Sequence, residues 1–296
     1  MALKNPSSRA SEIHLSALLN GQNVISELEM LFSQTDASNF DFFQFISELL
    51  ESPFWAANDY KDNRLKLLCL KLSQEIELNY RKTLHEPTYH SRLHFKDVCL
   101  ALTVLLGVRK DSFQAHKNWH IEKQNAWILL FSAIGHDFGH DGKLHKKPFE
   151  MEELSLNYLR RWLEDVGTDK RLISEVMHDV QHIVLKTDPQ YFKTLVNEIT
   201  ETTSSPLTLD CMSALLVESD LLASALPKRG AHLGLLLSKE WENENFEAAT
   251  KVKSDEGRLV FLEYIQFISP QSSQLGLDII RKESILKIQK EIHARI

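Results

Sequence analysis

Helix breakers are scarce in this chain. It holds 10 glycines and 8 prolines in 296 residues. The long stretches between them space their apolar residues at the 3.6-residue period of a helix, with no sustained strand-like alternation. That pattern commits the chain to an all-α fold, a compact multi-helix bundle. Helices are expected over 11–33, with Ser11 as N-cap, over a segment running from Phe40 through Phe42, Phe43, Phe45 and Ile46 to Leu50, and over 59–84. Further helices are expected over 90–107, 123–135, 150–166, 170–186, 207–225, 231–247, 256–268 and 274–295. Gly107, Gly167, Pro189, Pro206, Pro227 and Pro270 punctuate them. The aromatic segment reads as core packing. Residues 200–206 are the most linker-like piece, yet no longer than an ordinary helix connection. We therefore expect residues 1–84 to form an N-terminal helical subdomain packed on a core of 85–296.

With 43% hydrophobic and 25% charged residues the chain can bury a real core. A net charge of −7 argues against binding nucleic acid through its phosphates. It does not argue against a small anionic substrate, because a bound cation reverses the local field. Cys69, Cys99 and Cys211 form no CxxC pair and read as free thiols of a reducing compartment. The N-terminus lacks an apolar signal region, and the apolar run Ala126–Gly135 is about half of the ~20 residues that span a bilayer. A cytoplasmic protein without a membrane partner is expected.

The chemistry concentrates where an apolar helix ends. Trp127, Ile128, Leu129, Leu130, Phe131 and Ile134 make the 123–135 segment apolar nearly all round, the mark of a central helix. It runs directly into GHDFGHDG, residues 135–142. Ionisable groups at the end of a buried helix are costly unless something pairs them, and a metal does so simply. The chain has 13 histidines. His90 and His94 stand at i, i+4 and would share a helix face, as would His136 and His140 unless Gly139 breaks the helix. Imidazoles beside a carboxylate, here His136-Asp137, suit zinc, manganese, iron or magnesium. Each pair alone is also what a surface or a satisfied core would carry.

The segment Tyr89-His90-Ser91-Arg92-Leu93-His94-Phe95-Lys96-Asp97-Val98 resembles the YHNxxHAxDV signature of class I cyclic-nucleotide phosphodiesterases, members of the HD superfamily of phosphohydrolases. The run 136–142 is similar to their HDxxHPG, Glu153-Leu154-Ser155 to the Glu-Leu-Ala of the next helix, and Val184-Leu185-Lys186-Thr187-Asp188 to VLATD. Glu218-Ser219-Asp220-Leu221 stands where the family has its late CADLS segment, and Phe261-Leu262-Glu263-Tyr264-Ile265 is similar to FIDYI. The matches fall in order over about 85–268. The resemblance implies an HD/phosphodiesterase-type bundle with two divalent metal ions. Zinc in the first site would be held by His94, His136, Asp137 and Asp220, and magnesium or manganese in the second would be reached by Asp137 and held largely by waters. It further implies that a hydroxide bridging the metals opens a 3′,5′-cyclic nucleotide to its 5′-monophosphate, with His90 as general acid. His140 and Glu153 would order the water network, and Asp97 and Thr187 would support it. Phe261 would stack on the base.

The chain departs from the pattern where the family reads the base. Arg258 stands in place of the purine-reading glutamine and Ala223 in place of an asparagine; Asp141 and Ser91 replace a proline and an asparagine. Arginine offers donors only. Arg258 could grip a phosphate or carboxylate of another substrate, or could point to solvent or pair with Glu256. Lys143, His145, Lys146 and Lys147 could steer an anion or form a solvated loop. The resemblance thus bears on the chemistry more firmly than on the substrate. An HD-type phosphohydrolase for another nucleotide or phosphodiester is the alternative, and a non-catalytic ligand-binding helical protein a third reading that the retained ligand set disfavours. A homodimer is compatible with the sequence, which does not determine oligomeric state.

Overall fold

The computed structural model describes residues 24–34, 36, 40–108, 117–201 and 206–295. Among them are 15 α-helices, a short 3-10 turn at Lys117–Trp119 and no strand. Three helices make the centre. Lys123–Gly135 is buried from Ala126 to its end, Arg92–Leu106 is buried at every position but Leu93, and Thr208–Ala225 is buried from Cys211 through Ser219. They pack on one another. Each fully buried Leu, Ile or Phe contributes roughly 1.5–3 kcal/mol, so the centre is a firm platform for whatever stands at its rim. Trp127 and Trp55 lie in it with ring centroids 4.9 Å apart. Their indole N–H groups donate to Asn58 O and Thr103 Oγ1, both at 3.0 Å, which removes the cost of burying them.

Around the centre, Phe42–Leu50 and Arg64–Thr83 close one side, Glu150–Asp165 and Lys170–Leu185 another, and Pro227–Trp241 with Leu277–His293 the remainder. One hydrophobic cluster runs through residues on both sides of position 84. The described part of the first helix is Val24–Gln34; Ser11 lies outside the described residues. Glu29 of that helix accepts from the N–H groups of Lys228 and Arg229 at 2.6 and 3.0 Å, capping the Pro227–Trp241 helix from outside.

Four helices of 6 to 9 residues were not expected: Pro53–Asn58, Phe192–Thr200, Phe246–Val252 and Pro270–Leu275. At 3.6 residues per turn they hold only about two turns, too few repeats to set an apolar period apart from chance. Pro53, Pro227 and Pro270 open helices rather than separating them, because the first helical position has no use for the N–H that proline lacks. The segment expected over 231–247 therefore starts at Pro227 and stops at Trp241. The expected pairing of His90 with His94 on one helix face does not hold either. The helix begins at Arg92, and His90 sits in the bend before it.

Candidate metal centre and its cavity

The three central helices end at one place. His94 stands in the first turn of Arg92–Leu106, His136 caps Lys123–Gly135 with Asp137 following, and Asp220 lies on Thr208–Ala225. The Nε2 atoms of His94 and His136 are 3.3 Å apart. Asp137 Oδ2 lies 3.2 Å from the first and 3.1 Å from the second. Asp220 Oδ1 lies 3.2 and 3.9 Å from them. Ligands bound at ~2.0–2.2 Å to one ion stand roughly 3–3.6 Å apart; His94, His136 and Asp220 place their ligand atoms within 4.8 Å of one another, and Asp137 stands at that spacing from both imidazoles. Both histidines are buried, and the carboxylates open partly to the cavity. His136 Nδ1 is 3.0 Å from the Ala133 carbonyl. A carbonyl only accepts, so Nδ1 carries a proton and Nε2 is the nitrogen left to serve a metal.

The electrostatics fit a cation site. Burial lowers the affinity of His94 for a proton, but the hydrogen bonds and charges of Asp137 and Asp220 outweigh it and raise its pKa to about 10. His136 is raised for the same reason. Burial pushes the Asp137 carboxyl upward, yet His136 and His94 hold it well below the usual carboxylate range. Without a metal the two carboxylates thus draw protons onto the imidazoles, and a metal that binds must displace them.

Beyond Asp137 the chain turns sharply. Gly139 has φ +90°, and a Cβ there would lie 2.4 Å from the Tyr158 ring, so a larger residue would be strained and would have to displace that ring. The turn carries His140 off the helix axis and stacks it on His90 with ring centroids 3.7 Å apart. The Gly142 N–H donates to His140 Nδ1 at 2.9 Å. Burial and the neighbouring His90 drive the His140 pKa down to about 4, which keeps that ring neutral. His90 Nδ1 lies 2.5 Å from Glu240 Oε1. The other Glu240 oxygen accepts from the N–H groups of Tyr89 at 2.6 Å and His90 at 3.1 Å. Glu240 is nearly buried and stays ionised, because these bonds outweigh the burial that opposes it.

These groups line a cavity of about 480 Å³, within the ~300–1,000 Å³ of small-molecule sites. Phe261, Leu221, Phe192 and Ile265 add apolar lining. Thr187 lines the cavity, with its hydroxyl turned to the Val184 carbonyl at 2.8 Å.

Three expected residues stand elsewhere. Glu153 points outward and meets Lys147 at 3.9 Å, with both side chains more than half exposed. The cavity receives Glu152 instead, because one residue turns a helix by ~100°. Asp97 is buried away from the cavity, where Arg229 donates to it at 2.7 and 2.9 Å. The Arg258 guanidinium donates to the Leu226 carbonyl at 2.7 Å and does not line the cavity. Its side chain is half-buried and stands outside the cavity lining. Of the basic loop, Lys143 and His145 reach the cavity, while the Lys147 side chain is largely in solvent. Glu240, Glu152 and Asp188 belong to the site and were not singled out from the sequence. Glu240 stands among other acids in KEWENEN, where nothing distinguishes it.

No family model and no curated protein sequence matches the chain. Solved structures do, among them that of LmjPDEB1, a Leishmania cyclic-nucleotide phosphodiesterase domain, in complex with IBMX. The match has a TM-score of 0.66 at 12% identity and covers 99% of each chain. The fold is therefore that of a cyclic-nucleotide phosphodiesterase catalytic domain, an all-helical bundle.

Proposed function

We propose that the protein is a metal-dependent phosphohydrolase that opens a 3′,5′-cyclic nucleotide to its 5′-monophosphate. The observation that carries this reading is the convergence of His94, His136, Asp137 and Asp220 in a nucleotide-sized cavity that Phe261 also lines. The donors fit a first-row divalent cation, zinc in the first site; with magnesium or manganese in a second, it would polarise the phosphoryl group and acidify water.

The chain's own residues then divide the work. His90 protonates the departing 3′ oxygen as the P–O bond breaks, and so leaves it as an alcohol. Glu240 is its positioning residue. The carboxylate on Nδ1 holds that nitrogen as the donor, which leaves the other ring nitrogen for the substrate. The neutral His140 face packs against His90 without competing for the proton. Phe261 offers a ring face to the base. The apolar lining of Phe261, Leu221, Phe192 and Ile265 suits the uncharged part of a nucleotide.

A second reading rests on Arg258 and Ala223. Arg258 is engaged by a main-chain carbonyl and Ala223 is buried, so neither replaces the amides that read a purine edge. This favours a related phosphoester or a different nucleotide. Assays with cyclic AMP, cyclic GMP and bis(4-nitrophenyl) phosphate, each with added zinc, magnesium or manganese, separate the readings. Preferential turnover of a cyclic nucleotide supports the first. Turnover of the generic ester alone supports the second. Absence of any turnover that His136→Ala abolishes removes both.

A further inference from the structure

The cavity carries a further set of donors that the hydrolytic reading does not use. His145, Glu152 and Asp188 each place a ligand atom within 4.8 Å of the others. They come from three stretches: the loop after the His136 turn, the first turn of Glu150–Asp165, and the turn after Lys170–Leu185. All three line the cavity. Glu152 is 6% exposed and Asp188 is fully buried.

Buried carboxylates normally find donors. Asp188 does: one oxygen accepts from Phe149 N–H at 2.6 Å and the other from Gln190 N–H at 2.7 Å. Those bonds orient the group and leave lone pairs free on both oxygens. Glu152 is satisfied only in part, by its own backbone N–H. Its Oε2 is buried without a hydrogen-bond partner, and so is Nδ1 of His145. The two atoms are 4.0 Å apart, too far for a hydrogen bond. An ion bound to each at ~2.0–2.3 Å spans that gap. Among the described residues no lysine or arginine pairs with Glu152 or Asp188, and Lys143 pairs with Asp141 and Lys147 with Glu153. Burial, with the charges of Asp188 and Asp137 adding to it, raises the Glu152 pKa to about 8. A cation would reverse that penalty.

We infer that His145, Glu152 and Asp188 form a direct divalent-cation site, separate in its ligands from the His94, His136, Asp137 and Asp220 set. One imidazole and two carboxylates suit manganese, iron or zinc better than calcium. The inference needs only this cluster's geometry and holds whether or not the neighbouring centre serves hydrolysis.

Manganese is the probe. Equilibrium dialysis of the metal-stripped full chain against Mn²⁺ is compared with Glu152→Gln, His145→Ala and Asp220→Asn. Melting of each metal-free variant checks that it folds, and the isosteric Glu152→Gln is the variant least able to disturb packing. The expected result is that Glu152→Gln and His145→Ala each weaken one equivalent of Mn²⁺ by more than ~100-fold, beyond the ~10–100-fold that loss of an outer partner costs. Asp220→Asn should weaken a different equivalent and leave this one in place. Pulsed electron paramagnetic resonance of Mn²⁺ in Asp220→Asn should show a nitrogen coupling that His145→Ala removes. Unchanged binding in Glu152→Gln overturns the inference. So does loss of only the equivalent that Asp220→Asn also loses, which would make Glu152 a support of the first centre.

Discussion

Charges are buried on two sides of the helix Arg92–Leu106. On one side Arg92 donates to Glu77 at 2.6 Å and to Glu86 at 3.1 Å, with its guanidinium 3.3 Å from the centroid of the Tyr80 ring. On the same flank Lys96 and Arg229 meet Asp36 and Asp97. Every cation there faces carboxylates, and the network ties the first helix and residues 64–83 to the core. His94, two residues beyond Arg92, faces the cavity, where Asp137, Asp220, Glu152 and Asp188 face imidazoles and one another. No lysine or arginine pairs with those four among the described residues. The difference separates architecture from function. A paired network costs little to keep and offers nothing to a ligand, whereas carboxylates left without a cation are retained where something else supplies the charge.

The comparison breaks first at His136. His136→Ala should release the cation of the first centre and lower cyclic-nucleotide turnover more than ~1,000-fold, the scale of losing metal-assisted charge stabilisation. Elemental analysis beside steady-state kinetics reads both, and retained metal would remove the centre from the account. Next, His90→Gln should lower kcat by ~100- to 10,000-fold, the usual worth of a general acid, with metal content unchanged. Loss of metal there would make His90 a ligand rather than a proton donor.

The paired flank should behave in the opposite way. Glu77→Gln takes from the buried Arg92 one of its two carboxylates, leaving Glu86, and should cost about 2 kcal/mol of stability while turnover per folded molecule stays the same. Burial raises the Glu77 pKa, but the Phe42 N–H, Arg81 and Arg92 outweigh it and hold it below its ordinary value of 4.5. A carboxyl lowered by folding contributes stability above its unfolded pKa and loses it as pH falls through the folded value. The gap between wild type and Glu77→Gln should therefore be full at pH 7 and narrow below about pH 4.5, as thermal melts at several pH values would show. A gap that widens in acid would contradict the assignment.

Two smaller effects sharpen the division within the cavity. Phe261→Ala should raise KM roughly 10-fold through loss of base stacking worth about 1 kcal/mol or more, with kcat less affected. Arg258→Gln should change kcat/KM by less than about 2-fold and stability by about 1 kcal/mol, the worth of its bond to Leu226. A change of substrate preference on Arg258→Gln would put that side chain in the cavity after all.

Much of the fold was legible because helices write themselves locally. The bounds of Lys123–Gly135 and the ends of Glu150–Asp165 and Lys170–Leu185 follow from apolar period and caps within one or two residues. The short helices were not legible, since six residues hold less than two turns. In the site, His94, His136, Asp137 and Asp220 could be picked out because each sits in a recognisable run at a helix end or on a buried helix. Glu240 could not: it meets His90 across 150 positions, and no local pattern encodes a contact at that distance. Glu152 was missed by one residue for a sharper reason, because the register that turns 152 inward and 153 outward depends on where the helix starts.

By itself, the sequence determined an all-helical chain with a cluster of ionisable groups at the end of its most apolar helix, because periodicity and desolvation cost act over a few neighbouring residues. Only the tertiary structure decided which charges meet which. Packing brought Arg229 to Asp97, turned Arg258 to a main-chain carbonyl, set Glu240 on His90, and left one Glu152 oxygen beside His145 without a donor. Those pairings are set by the crossing and register of helices far apart in the chain, where a shift of one residue moves a side chain from the cavity to solvent.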